Sequence, residues 1–242
     1  FLDQRVRDGV LRRTIDKWLN AGVMEDGQLT RSKLGTPQGG VVSPMLSNIY
    51  LHVVLDRWFE NEVRPRLNGR ALLIRFADDF AIVCEYEHDA RRVLAVLPKR
   101  MARFGLTIHP EKTKLVDMRR PPPGRGKERR GTFDLLGFTH YWGKSRNKRW
   151  VVKRKTARSR FNRAVKQLSM LLKRLRHRPV REQHGKLCQA LLGHDAYYGI
   201  TGNGTALALL RWKIQRIWRK WLDRRSRKAN MNWEKYGRLL QT

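Results

Sequence analysis

The 242-residue sequence predicts an α+β fold, and three features carry that expectation. Two short apolar runs, Leu72 to Phe76 and Phe80 to Cys84, flank the adjacent carboxylates Asp78 and Asp79. Each run is too short for a helix with a clear face, so a β-hairpin is expected with the aspartates at its tip. Stretches on either side, residues 43–62 and 88–104, repeat apolar side chains at helical spacing, and from Thr156 onward the pattern is helical with apolar and basic residues on opposite faces.

The elements follow in order. Residues 3–20 place Val6, Val10, Leu11, Ile15, Trp18 and Leu19 at helical spacing, with Asn20 and Gly22 as a stop, and read as an amphipathic core helix behind the hairpin. Gly35 to Gly40 is a loop. Ser43 as N-cap and Pro44 at the first helical position then open a helix to about Glu62 that buries Leu46, Ile49, Tyr50, Val53, Val54 and Trp58. Residues 88–104 form a helix with Val93, Leu94, Val96, Leu97, Met101 and Phe104 inward, and 113–118 read as a strand, so that helices cross between strands twice. Residues 119–131, rich in Pro, Gly and Arg, mark a break in composition and read as a mobile loop. Phe133 to Leu136, Phe138 to Trp142 and Trp150 to Lys153 look like short strands.

Three helices are expected beyond Thr156. The first buries Phe161, Val165, Leu168, Leu171, Leu172 and Leu175; the second Leu187, Ala190, Leu191, Ala196 and Tyr197; the third Leu207, Leu210, Ile214, Ile217, Trp218 and Trp221. Their opposite faces carry Arg158, Arg160, Arg163, Lys166, Lys173, Arg174, Lys213, Arg216, Arg219 and Lys220, a bundle surface able to grip a phosphate backbone. Trp212 and Trp221 admit two readings, core packing or stacking on bases; the spacing favours core.

The net charge is +32, and it is uneven: residues 1–118 hold 19 Lys and Arg against 15 Asp and Glu, whereas residues 119–242 hold 34 against 6. Such an excess repels itself unless a polyanion neutralises it, and nucleic acid fits better than an anionic membrane surface. No stretch approaches the roughly 18 consecutive apolar residues of a membrane span, and the N-terminus lacks a signal-peptide layout, so a cytoplasmic protein is expected. Cys84 and Cys188 stand far apart without a CxxC partner and are expected as reduced thiols; no zinc site is indicated.

The hairpin tip is where chemistry is expected. A two-residue hairpin turn prefers Asn-Gly, Asp-Gly or Gly-X, and Asp78-Asp79 offers no glycine. Adjacent carboxylates also repel unless a cation intervenes, and Mg²⁺ is typically held by one or two carboxylates plus substrate phosphates. A solvated acidic turn is the other reading. Upstream, Gly39 and Gly40 before a helix N-terminus allow backbone N–H groups to approach an anion, although a tight turn explains them equally.

Phe76-Ala77-Asp78-Asp79 resembles the aromatic-Ala-Asp-Asp box of reverse transcriptases, and Thr36-Pro37-Gln38-Gly39-Gly40-Val41-Val42-Ser43-Pro44-Met45-Leu46-Ser47-Asn48 resembles their nucleotide-pocket motif. Gly105-Leu106-Thr107-Ile108 with Lys112-Thr113-Lys114, then Leu136-Gly137-Phe138, are similar to the next two blocks in the same order. The basic helical tail with its Trp-rich run from Trp212 to Trp221 narrows the resemblance to group II intron reverse transcriptases, or maturases. The resemblance implies a partial polymerase palm at 1–118, a linker loop at 119–131, primer-grip strands at 132–154 and a thumb/maturase helical domain at 155–242. It implies Asp78 and Asp79 as catalytic Mg²⁺ ligands of a two-metal site. Phe76, Gln38, Gly39, Gly40 and Lys112 would bind the deoxynucleoside triphosphate, Lys112 reading as well as a surface lysine, and Leu136, Gly137 and Phe138 would grip the primer. The ten cations of the helical bundle would bind RNA. The implied partners are intron RNA, an RNA template and a DNA primer.

The same resemblance implies a further aspartate from a strand preceding the first helix. Asp3, Asp8 and Asp16 lie in a helical stretch and do not match it. The chain is therefore expected to be the C-terminal part of a reverse transcriptase, inactive by itself and completed by a separate fingers and first-palm segment. The alternative is a non-enzymatic RNA-binding splicing factor that keeps the palm as scaffold.

Overall fold

A computed structural model describes residues 1–4, 6–20, 23–25, 28–30, 42–122, 131–226 and 230–241, and the chain forms two compact units, Phe1–Leu115 and Val116–Thr242. Both mix helices with small antiparallel sheets, the α+β class that the sequence predicts.

The first unit opens with α1 (Gly9–Leu19), capped by Asp8, whose side chain accepts the N–H groups of Val10 at 2.7 Å and Leu11 at 3.0 Å. The core-helix expectation is corrected here. Ile15 is the residue of α1 that is buried, whereas Val10 is 65% exposed and Leu11 and Trp18 are exposed too. Helical spacing marks an apolar stripe but not what covers it. A short ribbon, β1 (Val23–Glu25) paired with β2 (Gln28–Thr30), follows.

Helix α2 (Ser43–Leu51) carries Pro44 in its first turn, but Ser43 is already helical and Val42 precedes it without a side-chain cap bond. The helix widens into π-helical turns at His52–Arg57 and Phe59–Val63. Hydrogen bonding from i to i+5 rotates successive side chains, so that the adjacent pairs Val54, Leu55 and Trp58, Phe59 all enter one core. Strands β3 (Ala71–Phe76) and β4 (Asp79–Cys84) pair antiparallel in the register Ala71 opposite Cys84 to Phe76 opposite Asp79. Period-two alternation sends Leu73, Phe80 and Ile82 onto that core together with Leu97 and Met101 of α3 (Glu87–Ala102), and leaves Leu72, Ile74, Phe76 and Val83 exposed on the other face. Val96 of α3 is also exposed, against expectation. The buried Asp89 carboxylate accepts the N–H groups of Asn68 at 3.0 Å and Gly69 at 2.9 Å, which holds the loop entering β3.

Residues 113–118 do not form the expected strand. Two of their backbone carbonyls are engaged elsewhere: Asp117 O accepts from Gly131 N at 3.1 Å, and Met118 O accepts from the Trp142 indole at 3.0 Å. The described sheets of the first unit are thus the β1–β2 ribbon and the β3–β4 pair rather than a twice-crossed β-α-β arrangement.

The second unit begins with the sheet β5 (Phe133–Leu135), β6 (Phe138–Lys144) and β7 (Trp150–Thr156), antiparallel in that order. Helices α4 (Arg158–Leu175), α5 (Val180–Tyr198) and α6 (Gly204–Asp223) form the expected bundle around Leu168, Leu172, Leu187, Leu210, Ile214, Trp218 and Leu222. A fourth helix, α7 (Trp233–Gln241), was not expected and adds Tyr236 to this core. Two buried amides of this unit are hydrogen-bonded through both their oxygen and their nitrogen. Gln183 accepts from the Trp218 indole at 2.9 Å and donates to Arg178 O at 2.9 Å. Asn203 accepts from Thr156 N at 2.8 Å and donates to Tyr198 O at 2.8 Å, pinning the end of β7 to the end of α5. Among the described residues no helix is long and apolar enough to cross a membrane.

Candidate functional site

The β3–β4 connection is a two-residue turn, Ala77-Asp78, with Asp79 already paired to Phe76 as the first residue of β4. Such turns need left-handed backbone. Here it falls on Ala77, at φ +53°, so the aspartates are relieved of it and a non-glycine residue bears it. A residue held this way costs about 1–3 kcal/mol and persists where surrounding contacts impose it.

Those contacts come from Arg75, whose side chain is 13% exposed on the inner face of β3. Its Nε and Nη2 donate to the two carboxylate oxygens of Asp56 at 2.7 and 2.6 Å. Its Nη1 donates to Asn48 Oδ1 at 2.8 Å and to the carbonyl oxygen of Ala77 at 2.9 Å. Burial pushes the Asp56 carboxyl up, but the hydrogen bonds and charge of Arg75, helped by His52, outweigh it and hold the group below the usual carboxylate range. The bond to Asp56 likewise raises Arg75 above its ordinary value.

Asp78 and Asp79 are both exposed, and among the described residues neither has a Lys or Arg partner, in a chain with 53 such cations. Two unpaired carboxylates one residue apart are a donor set suited to a hard divalent cation. Among the described residues no group of three or more His, Cys, Asp or Glu side chains assembles, so the pair supplies two carboxylates and leaves other positions to substrate, water or further protein ligands. Phe76 stands beside them, 66% exposed. Gln38, Gly39 and Gly40 lie outside the described residues. Lys112 is exposed in the turn after α3, its backbone N–H bonded to His109 O at 3.2 Å.

Leu136 and Gly137 form the β5–β6 turn, at φ +50° and +78°, so Leu136 stands in the turn and not, as expected, at the end of the strand. Gly137 is needed for backbone conformation and for space: a Cβ there would stand 2.9 Å from the Tyr198 hydroxyl oxygen. Phe138 is buried, its ring stacked on Tyr197 at 5.8 Å, so the turn backbone and not this ring is the accessible part.

On the helices, Arg158, Arg160, Arg163, Lys166, Lys173 and Arg174 of α4 and Arg216 and Lys220 of α6 are exposed. Lys213 is half-buried over the Phe161 ring. Arg219 departs from the outer-face expectation, since it donates to Met231 O at 2.6 Å and lies over Trp233. The core reading of Trp212 is overturned. It is 52% exposed with Arg216 4.7 Å above its ring, whereas Trp218 is the buried tryptophan of α6 and Trp221 packs partly buried against the same core.

Sequence reasoning missed Arg75, Asp56 and Asn48. One signal was present: an arginine at the core-facing parity of an apolar strand implies a buried partner.

The family described as reverse transcriptase (RNA-dependent DNA polymerase) matches residues 2–140. A protein of Schizosaccharomyces pombe described as an uncharacterized 91 kDa protein in the cob intron is 24% identical over 169 residues, which is 48% of this chain and 21% of that protein. The group II intron-encoded protein LtrA of Lactococcus lactis subsp. cremoris is 43% identical over 52 residues, 22% of this chain and 9% of LtrA. The telomerase reverse transcriptase of Takifugu rubripes is 32% identical over 97 residues, 39% of this chain and 8% of that protein. The chain thus spans a minor part of each relative. Intron-encoded proteins among them agree with the resemblance to group II intron reverse transcriptases that the motifs carry. With more than half of its length inside the matched region, the chain belongs to the reverse transcriptase (RNA-dependent DNA polymerase) family.

Proposed function

We propose that this chain is the palm and thumb portion of a group II intron-encoded reverse transcriptase and maturase, copying RNA into DNA and binding intron RNA to assist splicing and retrohoming. The observation that carries the reading is the Asp78-Asp79 pair, exposed beside a strained turn and without a Lys or Arg partner among the described residues despite a net charge of +32. In this reading the two carboxylates hold Mg²⁺, which when bound neutralises phosphate charge and aligns in-line phosphoryl transfer. Phe76 bounds the nucleotide, and Gln38, Gly39, Gly40 and Lys112 bind the deoxynucleoside triphosphate. The turn at Leu136 and Gly137 holds the primer backbone, with Phe138 anchoring it from below.

Arg158, Arg160, Arg163, Lys166, Lys173, Arg174, Lys213, Arg216 and Lys220 hold RNA phosphates in the same reading. They stand in a unit that contains none of the hairpin residues, an observation that also supports a second reading, an RNA-binding splicing factor without DNA synthesis. Primer extension by full-length protein on an RNA template with and without Mg²⁺, run beside filter binding of a group II intron RNA, separates the two. Mg²⁺-dependent extension supports the first reading. Intron binding without extension supports the second, and neither activity overturns both.

A further inference from the structure

The two motifs read as the nucleotide pocket and the metal hairpin end within reach of one guanidinium. Asn48 is the last residue of the first motif and sits on α2; Ala77 is the strained residue of the second, one position before Asp78. We propose that Arg75 is a positioning residue for DNA synthesis, clamping the Asp78-Asp79 turn to the helix that follows the nucleotide-pocket loop. The proposal rests on the reverse transcriptase reading and goes beyond it by assigning a role to a residue that this reading gives to neither nucleotide nor metal.

The geometry supports a clamp rather than a simple ion pair. Asp56 takes Nε and Nη2 in a two-pronged bond, which leaves Nη1 pointing to Asn48 and to the Ala77 carbonyl. A planar guanidinium can hold these directions at once, whereas a lysine ammonium on a flexible stem can satisfy Asp56 but cannot span all three partners. The carbonyl it grips belongs to the residue at φ +53°, so the bond opposes relaxation of the turn toward ordinary backbone. Asp56 in turn lies in the π-helical stretch of α2, beside the buried Val54 and Leu55, and therefore offers a rigid anchor. Displacing a reacting group by about 1 Å can cost on the order of a hundredfold in rate.

Arg75→Lys conserves the charge and the Asp56 pair, and so separates positioning from stability. The experiment compares purified full-length wild-type protein, Arg75→Lys and Asn48→Ala by steady-state primer extension, thermal melting and hydrogen exchange of the hairpin peptide. For Arg75→Lys the expected result is a kcat lowered by about tenfold or more, a KM for the deoxynucleotide within about threefold, and a melting temperature within a few degrees of wild type. Exchange should quicken in residues 76–80 while α3 stays protected. Asn48→Ala, which leaves the Ala77 bond in place, should lose less kcat. Wild-type kcat in Arg75→Lys, or a loss that merely follows a lowered melting temperature, overturns the clamp. If the wild-type protein makes no DNA, the reverse transcriptase reading fails separately and hydrogen exchange alone decides. Unchanged exchange at 76–80 then overturns the clamp, and a local increase supports it.

Discussion

The hydroxyl of Tyr197 donates to the carbonyl oxygen of Leu136 at 2.8 Å, joining α5 to the β5–β6 turn across 61 positions of sequence. Tyr198 supports the same turn from beneath Gly137. An alanine at 137 must adopt left-handed backbone and displace the Tyr198 hydroxyl, so Gly137→Ala is expected to cost about 1–2 kcal/mol and to weaken template–primer binding. Urea denaturation and a binding titration measure both. A wild-type midpoint with wild-type affinity contradicts the role given to this turn.

Tyr236 gives a pH signature. Burial pushes its phenol up to about 12, and among the described residues the hydroxyl has no hydrogen-bond partner. Below about pH 10, the ordinary value for tyrosine, folded and unfolded chains are both neutral at this site. Between there and about 12 the unfolded chain releases a proton that the folded chain retains, so stability falls as pH rises. Tyr236→Phe should remove that part of the alkaline loss and stabilise the second unit by about 1 kcal/mol at neutral pH. Equal alkaline melting curves for the two proteins would count against it.

Trp212 and Trp218 should behave oppositely. Trp218 is 2% exposed and bonded to Gln183, so Trp218→Ala is expected to cost about 3–5 kcal/mol. Trp212→Ala should change stability by less than about 0.5 kcal/mol, as exposed substitutions usually do, while lowering affinity for single-stranded RNA. An RNA affinity insensitive to Trp212 would remove it from the interface.

Replacing Arg158, Arg163 and Lys166 together by Glu tests the basic face of α4. Each phosphate neutralised on a duplex contributes a slope of about −0.9 in the logarithm of affinity against that of salt. The triple variant should therefore bind structured RNA more weakly and with a flatter salt dependence. Retention of the wild-type slope places the RNA grip elsewhere.

The sequence made most of the secondary structure legible because the signals were local. The hairpin announced itself by two apolar runs around Asp78 and Asp79, and the bundle by helical spacing on Leu168, Leu172, Leu210 and Ile214. What failed depended on partners. Val10, Leu11 and Trp18 share a helical stripe, yet spacing does not say whether a stripe is covered. Residues 113–118 have strand composition, but the carbonyls of Asp117 and Met118 go to Gly131 and Trp142 instead of a ladder. Trp212 and Trp218 differ by six positions and could not be ranked by residue type. At the candidate site the acidic pair was readable from residue chemistry, whereas the clamp of Arg75 on Asp56 and Asn48 joins positions 19 and 27 apart and has no local mark beyond an arginine in an apolar strand.

The most direct test of the central claim is primer extension on an RNA template by full-length protein, wild type and Asp78→Asn, with RNA affinity measured in parallel. The substitution removes one carboxylate charge from an exposed turn and touches none of the basic residues of α4 and α6. The expected result is Mg²⁺-dependent synthesis by the wild type, loss of that synthesis by at least about a hundredfold in the variant, and unchanged RNA binding. Synthesis by Asp78→Asn at the wild-type rate would contradict the assignment of the Asp78-Asp79 turn as the metal-binding centre.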